Sequence, residues 1–200
     1  MQQICEGMRL ILTLPPTLTW TDDDLYQFCL LNRDLQIEQT AKGELIIMAP
    51  AGGESSWRNS EVIISLGNWA RRDGRGIVFD SSGGFKLPNG ATLAPDASWV
   101  TKTKLATITA AQKQKYIPLS PDFVIELRSP TDSLVTLKRK MEEYMANGVE
   151  LGWLINPQKR QVFIYRPNSE VICLDNPATV SGESVLPGFI LELPPLWAGF

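Results

Sequence analysis

The fold of this 200-residue chain is governed by residues 121–148, which read PDFVIELRSPTDSLVTLKRKMEEYMANG. The stretch begins with the short apolar run 123–127, which is typical of a buried β-strand. One carboxylate, Glu126, interrupts that run, and Arg128 follows shortly after it. A charge inside a buried strand is costly unless another group pairs with it or a metal ion binds it. Glu126 is therefore the first candidate functional residue.

The second half of the stretch predicts a helix, which starts after a break at residues 129–132. Apolar side chains recur there at helical spacing and form one stripe: Leu134, Leu137, Met141, Tyr144 and Met145. Asn147-Gly148 ends the helix, because glycine readily adopts the left-handed conformation that follows a helix. A second apolar run at 151–155 comes next, so the stretch predicts a strand–helix–strand unit.

The flanking sequence predicts an α/β chain with one domain over residues 1–200. An arm and a first helix occupy 1–34, and the core covers about 35–193. Thr21 is expected to cap the first helix, with Leu25, Phe28, Cys29 and Leu31 on its apolar face. The further predicted elements are a hairpin (35–39, 44–48), a helix (54–72), a strand (77–79), a hairpin (85–87, 91–93), a strand (97–100), a basic loop with one helical turn (101–120), and strands at 162–165, 171–174 and 186–193.

Composition excludes several classes of function. The chain contains no histidine, which rules out Ser-His and Cys-His nucleophile pairs and His-ligated zinc. Its net charge of −3 argues against a general basic coat for nucleic acid, although it leaves room for a local positive groove. Cys5, Cys29 and Cys173 are far apart and fit reduced thiols, which favours a cytoplasmic protein. With no run of about 18 apolar residues, we expect no membrane span.

Three carboxylates, Asp96, Asp122 and Glu126, are candidates for one metal site, and strand geometry separates them. Asp122 and Glu126 lie four residues apart in one extended segment, so their Cα atoms are about 13 Å apart. Ligands bound at about 2.0–2.1 Å to one Mg²⁺ must lie much closer together. Asp96 begins a different strand. If the two strands are neighbours, its side chain approaches that of Glu126 to about 5 Å between Cβ atoms. Asp96 is therefore the better partner for Glu126.

Two further residues are candidates on chemical grounds. Glu54 begins the long helix, where a first-turn acid is also expected simply because a helix N-terminus favours anions. Arg128 is two residues beyond Glu126 and so points to the same face of the strand. Its guanidinium could pair with Glu126, orient a phosphate or stabilise developing negative charge. It cannot act as a general base, because guanidinium keeps its proton in proteins.

The order of Glu54, Asp96 and Glu126-Leu127-Arg128 resembles that of the PD-(D/E)-x-K nuclease superfamily. The chain from about residue 35 to 189 resembles the Uma2 family, a group of restriction-endonuclease-like proteins abundant in cyanobacteria. The matching segments are 95–100 (PDASWV), 121–130 (PDFVIELRSP), 140–144 (KMEEY), 147–148 (NG), 152–157 (GWLINP) and 186–189 (LPGF). Pro-Asp alone is a weak motif, but the whole series in this order is specific.

The resemblance implies a restriction endonuclease-like mixed β-sheet flanked by helices, here with an additional N-terminal helix and hairpin. It also implies Mg²⁺- or Mn²⁺-dependent hydrolysis of phosphodiester bonds in nucleic acid, most naturally DNA. Asp96 and Glu126 would hold the metal ion, with Glu54 acting through a water molecule. A homodimer is implied too, and the apolar tail 193–197 (LPPLW) is a candidate contact.

The chain departs from the superfamily pattern at one position. The superfamily lysine is expected at position 128, which here is Arg128. The Uma2 resemblance places that lysine on the following helix, at Lys140. From the sequence alone Lys138 competes, because both lysines flank the apolar stripe and both could be surface residues. Basic segments at 71–75 and 102–115 are expected to contact backbone phosphates.

Two other classes of function remain open at this point. One is a non-catalytic nucleic-acid-binding or assembly module that retains the nuclease fold. The other is an enzyme that acts on another phosphodiester or on a small nucleotide. Metal titration separates binding from catalysis, because a nuclease of this kind needs a divalent cation and loses cleavage when either acid is removed.

Overall fold

The computed structural model describes residues 9–15 and 20–200, which contain thirteen β-strands and five α-helices. In chain order the strands are β1 (Arg9–Leu12), β2 (Gln36–Gln39), β3 (Leu45–Met48), β4 (Gly76–Asp80), β5 (Phe85–Lys86), β6 (Thr92–Leu93), β7 (Ala97–Thr101), β8 (Phe123–Leu127), β9 (Leu151–Asn156), β10 (Gln161–Tyr165), β11 (Ile172–Asp175), β12 (Thr179–Ser181) and β13 (Ile190–Glu192). The α-helices are α1 (Asp22–Leu31), α2 (Gly53–Asp73), α3 (Lys102–Leu105), α4 (Leu134–Ala146) and α5 (Pro194–Ala198).

A six-stranded sheet in the order β11-β10-β9-β8-β7-β4 forms the centre of the molecule. β8 and β9 run parallel, joined through α4, and the other neighbouring strands are antiparallel. Every residue of β8 and β9 is buried. Burial on both faces explains their nearly continuous apolar sequences. The predicted mixed α/β fold and the strand–helix–strand unit are thus confirmed.

The alternation of side chains along β8 decides which layer each residue meets. Phe123, Ile125 and Leu127 pack into the core on the side of α2, whereas Val124 packs into the core on the side of α4. Successive residues of a strand point to opposite faces. Glu126 therefore shares the face of Val124 and points towards α4.

A second sheet in the order β1-β3-β2-β6-β5 is built around the N-terminal hairpin. β2 and β3 pair antiparallel as the sequence predicted, and β2 also pairs with β6 through Gln39 and Thr92. Since β6 is followed within a few residues by β7, this contact brings the hairpin next to the segment that carries Asp96.

The ends of two helices follow the sequence predictions. Thr21 caps α1 and forms a capping box with Asp24. At the end of α4, Gly148 has φ 91°, which glycine adopts at little cost. The predicted arm lies partly outside the described residues, because 1–8 and 16–19 are not among them.

Several details of the chain differ from the predictions: β1 and β12 were not predicted, and the strand expected at 186–193 forms only as β13. Leu31 is 84% exposed and does not belong to the apolar face of α1. The basic region 101–120 is more regular than expected, since it contains both α3 and a 3₁₀ helix at Gln112–Gln114. The tail forms α5 and places Leu193 and Leu196 in the core of the protomer. Two apolar residues of the segment that was a candidate dimer contact are therefore buried within the chain itself.

No helix within residues 9–15 and 20–200 is both long and apolar enough to cross a membrane. Cys29 and Cys173 are free thiols, and Cys5 lies outside the described residues.

Candidate active site

Asp96 lies directly before β7, at the end of the ladder that joins β7 to β8. Ala97 pairs with Ile125 in this antiparallel ladder, so the register places Asp96 opposite Glu126. Oδ2 of Asp96 accepts a hydrogen bond of 2.7 Å from the backbone N–H of Leu127. The sequence argument that Asp96, rather than Asp122, neighbours Glu126 agrees with this register.

Glu126 is buried with its carboxylate on the α4 side of the sheet. Its Oε1 lies 2.7 Å from Lys140 Nζ and accepts a hydrogen bond of 3.1 Å from Tyr144 Oη. Lys140 and Tyr144 are four residues apart on α4 and therefore lie on the same face of the helix. Helix α4 thus places the Lys140 ammonium and the Tyr144 hydroxyl next to the Glu126 carboxylate of β8.

Glu38 is a third carboxylate in this cluster, and the sequence analysis missed it. It lies on β2 with 1% of its surface exposed, and its Oε1 lies 2.7 Å from Lys140 Nζ. The same oxygen accepts a hydrogen bond of 2.9 Å from Ala94 N. A lone charge next to Ile37 in a strand was the available signal. It was hidden because Gln36 and Gln39 make the strand look solvent-facing.

The charges of the cluster act strongly on one another. Burial raises the pKa of Asp96 to about 6, against the opposing effects of the Leu127 N–H and Lys140. Burial also raises the pKa of Glu126 above its usual range, and the nearby Asp96 and Glu38 add to this, while Lys140 opposes it. Burial alone would lower the pKa of Lys140, but the charges of Glu126 and Glu38 outweigh it and raise that pKa. Lys140 is therefore an ammonium at neutral pH.

The two competing lysines of α4 point in different directions. Lys140 is 9% exposed and reaches the carboxylates, and its Nζ also donates a hydrogen bond of 3.3 Å to the carbonyl of Ala94. Lys138 instead places its Nζ 4.3 Å from the centre of the Phe163 ring on β10. Of the two, only Lys140 contacts the cluster.

Arg128 lies at the edge of the cluster without pairing with Glu126. Its Nε donates to the carbonyl of Asp132 at 3.1 Å, and its Nη1 donates to Asn156 Oδ1 at 3.2 Å. The chain leaves β8 after Leu127, so the simple alternation that placed Arg128 beside Glu126 no longer applies. Asp132 is nevertheless close enough to Asp96 to raise its pKa, which keeps this loop next to the site.

Glu54 pairs with a residue of its own helix. Its side chain is 51% exposed in the first turn of α2 and forms an ion pair of 2.7 Å with Arg58. Arg58 in turn donates a hydrogen bond of 2.7 Å to the carbonyl of Leu196. The pair therefore contacts the residues that form α5. Among the described residues Glu54 makes no hydrogen bond or ion pair with Asp96, Glu126 or Lys140, and its expected role through a water molecule stays a prediction.

Several basic residues expected to contact phosphates are already paired with acids. Arg75 pairs with Asp73, Lys104 with Asp122 and Lys115 with Asp23. Asp122 also accepts a hydrogen bond of 2.7 Å from Thr101 N. Asp122 thus ties α3 to the start of β8, which is a structural role.

The donor set of the cluster suits a hard divalent cation. No group of three or more His, Cys, Asp or Glu side chains among the described residues is arranged to hold a metal ion. Mg²⁺, however, keeps several waters and is commonly bound through one or two carboxylates. Asp96 and Glu126 offer two. In addition, Oε2 of Glu38 is buried and has no hydrogen-bond partner among the described residues. Such an orphaned oxygen calls for a further partner, and the waters that accompany a Mg²⁺ ion held by Asp96 and Glu126 can supply one.

The fold resembles that of a solved protein described as a nuclease. The chain is similar in structure to a crystal structure described as "a putative nuclease belonging to DUF820" from Anabaena variabilis, with a TM-score of 0.68 and 22% identity over 80% of this chain and 89% of that one. At this identity the likeness shows the fold. No curated protein matches the chain.

The chain belongs to the Uma2 family. The family model, described as "Putative restriction endonuclease", matches residues 22–194. The match covers the whole of the central sheet and the N-terminal hairpin that supplies Glu38. The resemblance stated from the sequence is therefore confirmed.

Proposed function

We propose that this protein is a metal-dependent endonuclease that hydrolyses phosphodiester bonds in nucleic acid, with DNA as its substrate. One observation carries the proposal: Asp96, just before the start of β7, lies opposite Glu126 near the end of β8, and Lys140 Nζ is 2.7 Å from Glu126 Oε1. Two acids and a lysine are the groups by which the nuclease superfamily is defined. Membership of a family described as restriction endonucleases supports the same conclusion.

Asp96 and Glu126 are the residues that would hold Mg²⁺ or Mn²⁺. When bound, such a cation lowers the pKa of a coordinated water and neutralises charge on the scissile phosphate. The protein contributes two oxygen ligands on neighbouring strands of a buried sheet. The backbone N–H of Leu127 fixes the Asp96 carboxylate by a hydrogen bond of 2.7 Å. Ligands held in this way lose little freedom on binding the ion.

Lys140 would act as a charged donor rather than as a general base. In the metal-free protein the charges of Glu126 and Glu38 raise the pKa of Lys140, which favours the protonated ammonium as a donor over a neutral amine as a base. An ammonium beside Glu126 can orient that water and stabilise negative charge as it develops on the phosphate. Of the two roles open to the lysine, orientation is therefore the one that we propose.

Arg128 would contact the substrate phosphate at the edge of the cluster. Two of its nitrogens are held by Asn156 and by the carbonyl of Asp132. Guanidinium has five N–H donors, so three remain for a phosphate. Because the group is anchored before the substrate arrives, little side-chain entropy is lost on binding.

Plasmid cleavage with Mg²⁺ or Mn²⁺ tests the proposal. We expect the wild-type protein to nick or cut DNA, and Asp96→Asn and Glu126→Gln to be inactive, since each change removes a charged ligand at nearly constant volume. Glu54→Gln is the matched control, because it removes an acid that lies outside the cluster, and it should cleave normally. Equal cleavage by the wild type and both site variants would indicate a contaminating nuclease and overturn the assignment.

A non-catalytic nucleic-acid-binding module is the second candidate, and one observation favours it. Lys140 already neutralises part of the charge of Glu38 and Glu126, so the cluster forms an internally paired network without a cation. For this candidate we expect DNA binding that EDTA does not change and no cleavage in either metal. Retention of binding by Asp96→Asn and Glu126→Gln would support it.

We also propose that the protein is a cytoplasmic homodimer. The nuclease resemblance supports the dimer, and the free thiols of Cys29 and Cys173 are compatible with a reducing compartment. Light scattering at micromolar concentration should give about twice the chain mass of 22.3 kDa. A mass equal to that of one chain would contradict the dimer, and recovery in a membrane or secreted fraction would contradict the cytoplasm.

A further inference from the structure

The N-terminal sheet contributes one charged group to the candidate active site, namely Glu38. Its strand, β2, belongs to the five-stranded sheet, whereas Asp96 and Glu126 lie on the central sheet. Only 1% of the surface of Glu38 is exposed. Burying a carboxylate costs free energy unless it is paired and hydrogen-bonded. The position of Glu38 therefore needs a reason beyond the stability of the hairpin.

The contacts of Glu38 connect three parts of the site. Its Oε1 accepts from Lys140 Nζ at 2.7 Å and from Ala94 N at 2.9 Å. The carbonyl of Ala94 in turn accepts from the same ammonium at 3.3 Å. Ala94 precedes Asp96 by two residues. Glu38 thus holds both the lysine and the segment that carries the first acid.

The ammonium of Lys140 is shared between two carboxylates. It lies 2.7 Å from Oε1 of Glu38 and 2.7 Å from Oε1 of Glu126. A lysine with Glu126 as its sole carboxylate partner would compete with a cation for that ligand. A cation on Glu126 would also repel the lysine from the site, because like charges in a buried environment interact strongly.

We propose that Glu38 is a positioning residue that retains the Lys140 ammonium beside the site when a divalent cation occupies Glu126. In this role Glu38 acts through Lys140 and not on the substrate. The catalytic part of the inference rests on the proposed function. The part that concerns the lysine and the cation can be measured without any cleavage.

Mn²⁺ affinity in a double-mutant cycle tests the proposal. Calorimetry would compare the wild type, Glu38→Gln, Lys140→Met and the double variant. Glutamine keeps an oxygen that can accept from Ala94 N. We expect Glu38→Gln to weaken Mn²⁺ binding about ten-fold in the wild-type background, which is the size of effect typical of groups that orient metal ligands. We expect a clearly smaller loss in the Lys140→Met background, because the competing ammonium is gone and only the direct effect of the lost charge on Glu126 remains.

Two results of the cycle would overturn the proposal. An equal loss of affinity in both backgrounds would mean that Glu38 acts on the cation directly, through its orphaned Oε2. No loss in either background would mean that Glu38 does not influence the site. Glu44→Gln is the matched control, because Glu44 lies in the turn of the same hairpin and its carboxylate accepts from Thr40. It should bind Mn²⁺ like the wild type.

Two further measurements keep the inference separate from the proposed function. In the metal-free protein, the ammonium protons of Lys140 should be protected from exchange with solvent, as seen in ¹H–¹⁵N spectra. Glu38→Gln should remove that protection. Unchanged protection would overturn the proposal even if the wild type binds no Mn²⁺. If Glu38→Gln does not fold, Glu38→Asp replaces it, since the shorter side chain keeps the charge but withdraws it from Lys140. If the wild-type protein cleaves DNA, Glu38→Gln should lower kcat about 10–100-fold and leave KM unchanged.

Discussion

Lys140 and Glu126 form a buried ion pair, with 2.7 Å between Nζ and Oε1, at the point where α4 passes the end of β8. The side chains of both residues are almost completely buried. From the sequence Lys140 is one of two lysines flanking an apolar stripe, and surface lysines of this kind are expected to contribute little to stability. The structure reverses that expectation, because it places the ammonium between two buried carboxylates.

Lys140→Ala should therefore destabilise the protein as well as abolish cleavage. Removing one partner of a buried pair leaves an uncompensated charge and costs about 3–5 kcal/mol. Lys138→Ala should cost no more than about 1 kcal/mol, since the contact that it loses among the described residues is a cation–π contact with Phe163. Urea denaturation of both variants measures the difference in the free energy of unfolding. Equal stability of the two variants would contradict the buried pair.

A divalent cation should stabilise the wild-type protein through Asp96 and Glu126. Binding to the folded state alone stabilises it by about 2.7 kcal/mol when the free cation is about 100-fold above Kd. We expect the thermal midpoint to rise with Mg²⁺ concentration in the wild type and in Glu54→Gln. EDTA should reverse the rise. Asp96→Asn and Glu126→Gln should show no rise, and a wild-type shift in either variant would place the cation elsewhere.

Gly76→Ala should be strongly destabilising. A Cβ at Gly76 would lie 2.2 Å from the Trp99 ring, which is 1% exposed and cannot move aside. Overpacking a buried site in this way costs about 1–3 kcal/mol. Gly67→Ala in the interior of α2 is the matched control, since a Cβ added there meets no atom of another described element within 4 Å. That change should stabilise the helix by about 0.5–1 kcal/mol. Chemical denaturation of both variants measures these opposite signs.

Substitution of Arg128 should weaken substrate binding and leave the structure of the cluster unchanged. Arg128→Ala should raise KM about ten-fold, because a hydrogen bond to a charged group contributes about 1.5–3 kcal/mol. Arg128→Lys should retain partial activity, since it keeps the positive charge but not the second anchoring contact with Asn156. Steady-state kinetics on a DNA substrate measures both. If Arg128→Ala leaves KM unchanged, the guanidinium has no phosphate to bind.

Local sequence is sufficient to specify the strand–helix–strand unit around β8 and the identity of two acids. Apolar periodicity, the break at residues 129–132 and Gly148 each act within a few residues of chain. Glu126 was identifiable because a charge inside an apolar run must be explained wherever the strand lies. Asp96 was identifiable because residues at paired positions of neighbouring strands lie close together, and β7 does pair with β8.

The other groups that reach those acids are set by packing between elements. Lys138 and Lys140 differ by the rotation of α4 about its axis, which depends on how the whole apolar stripe packs on the sheet. Glu38 arrives from a second sheet, through a contact between Gln39 and Thr92 that no local pattern predicts. Glu54 pairs with Arg58, which links the start of α2 to α5. Such placements depend on elements that are distant in sequence. The free energy of burying each charge depends on the partners that those elements bring to it in the folded protein.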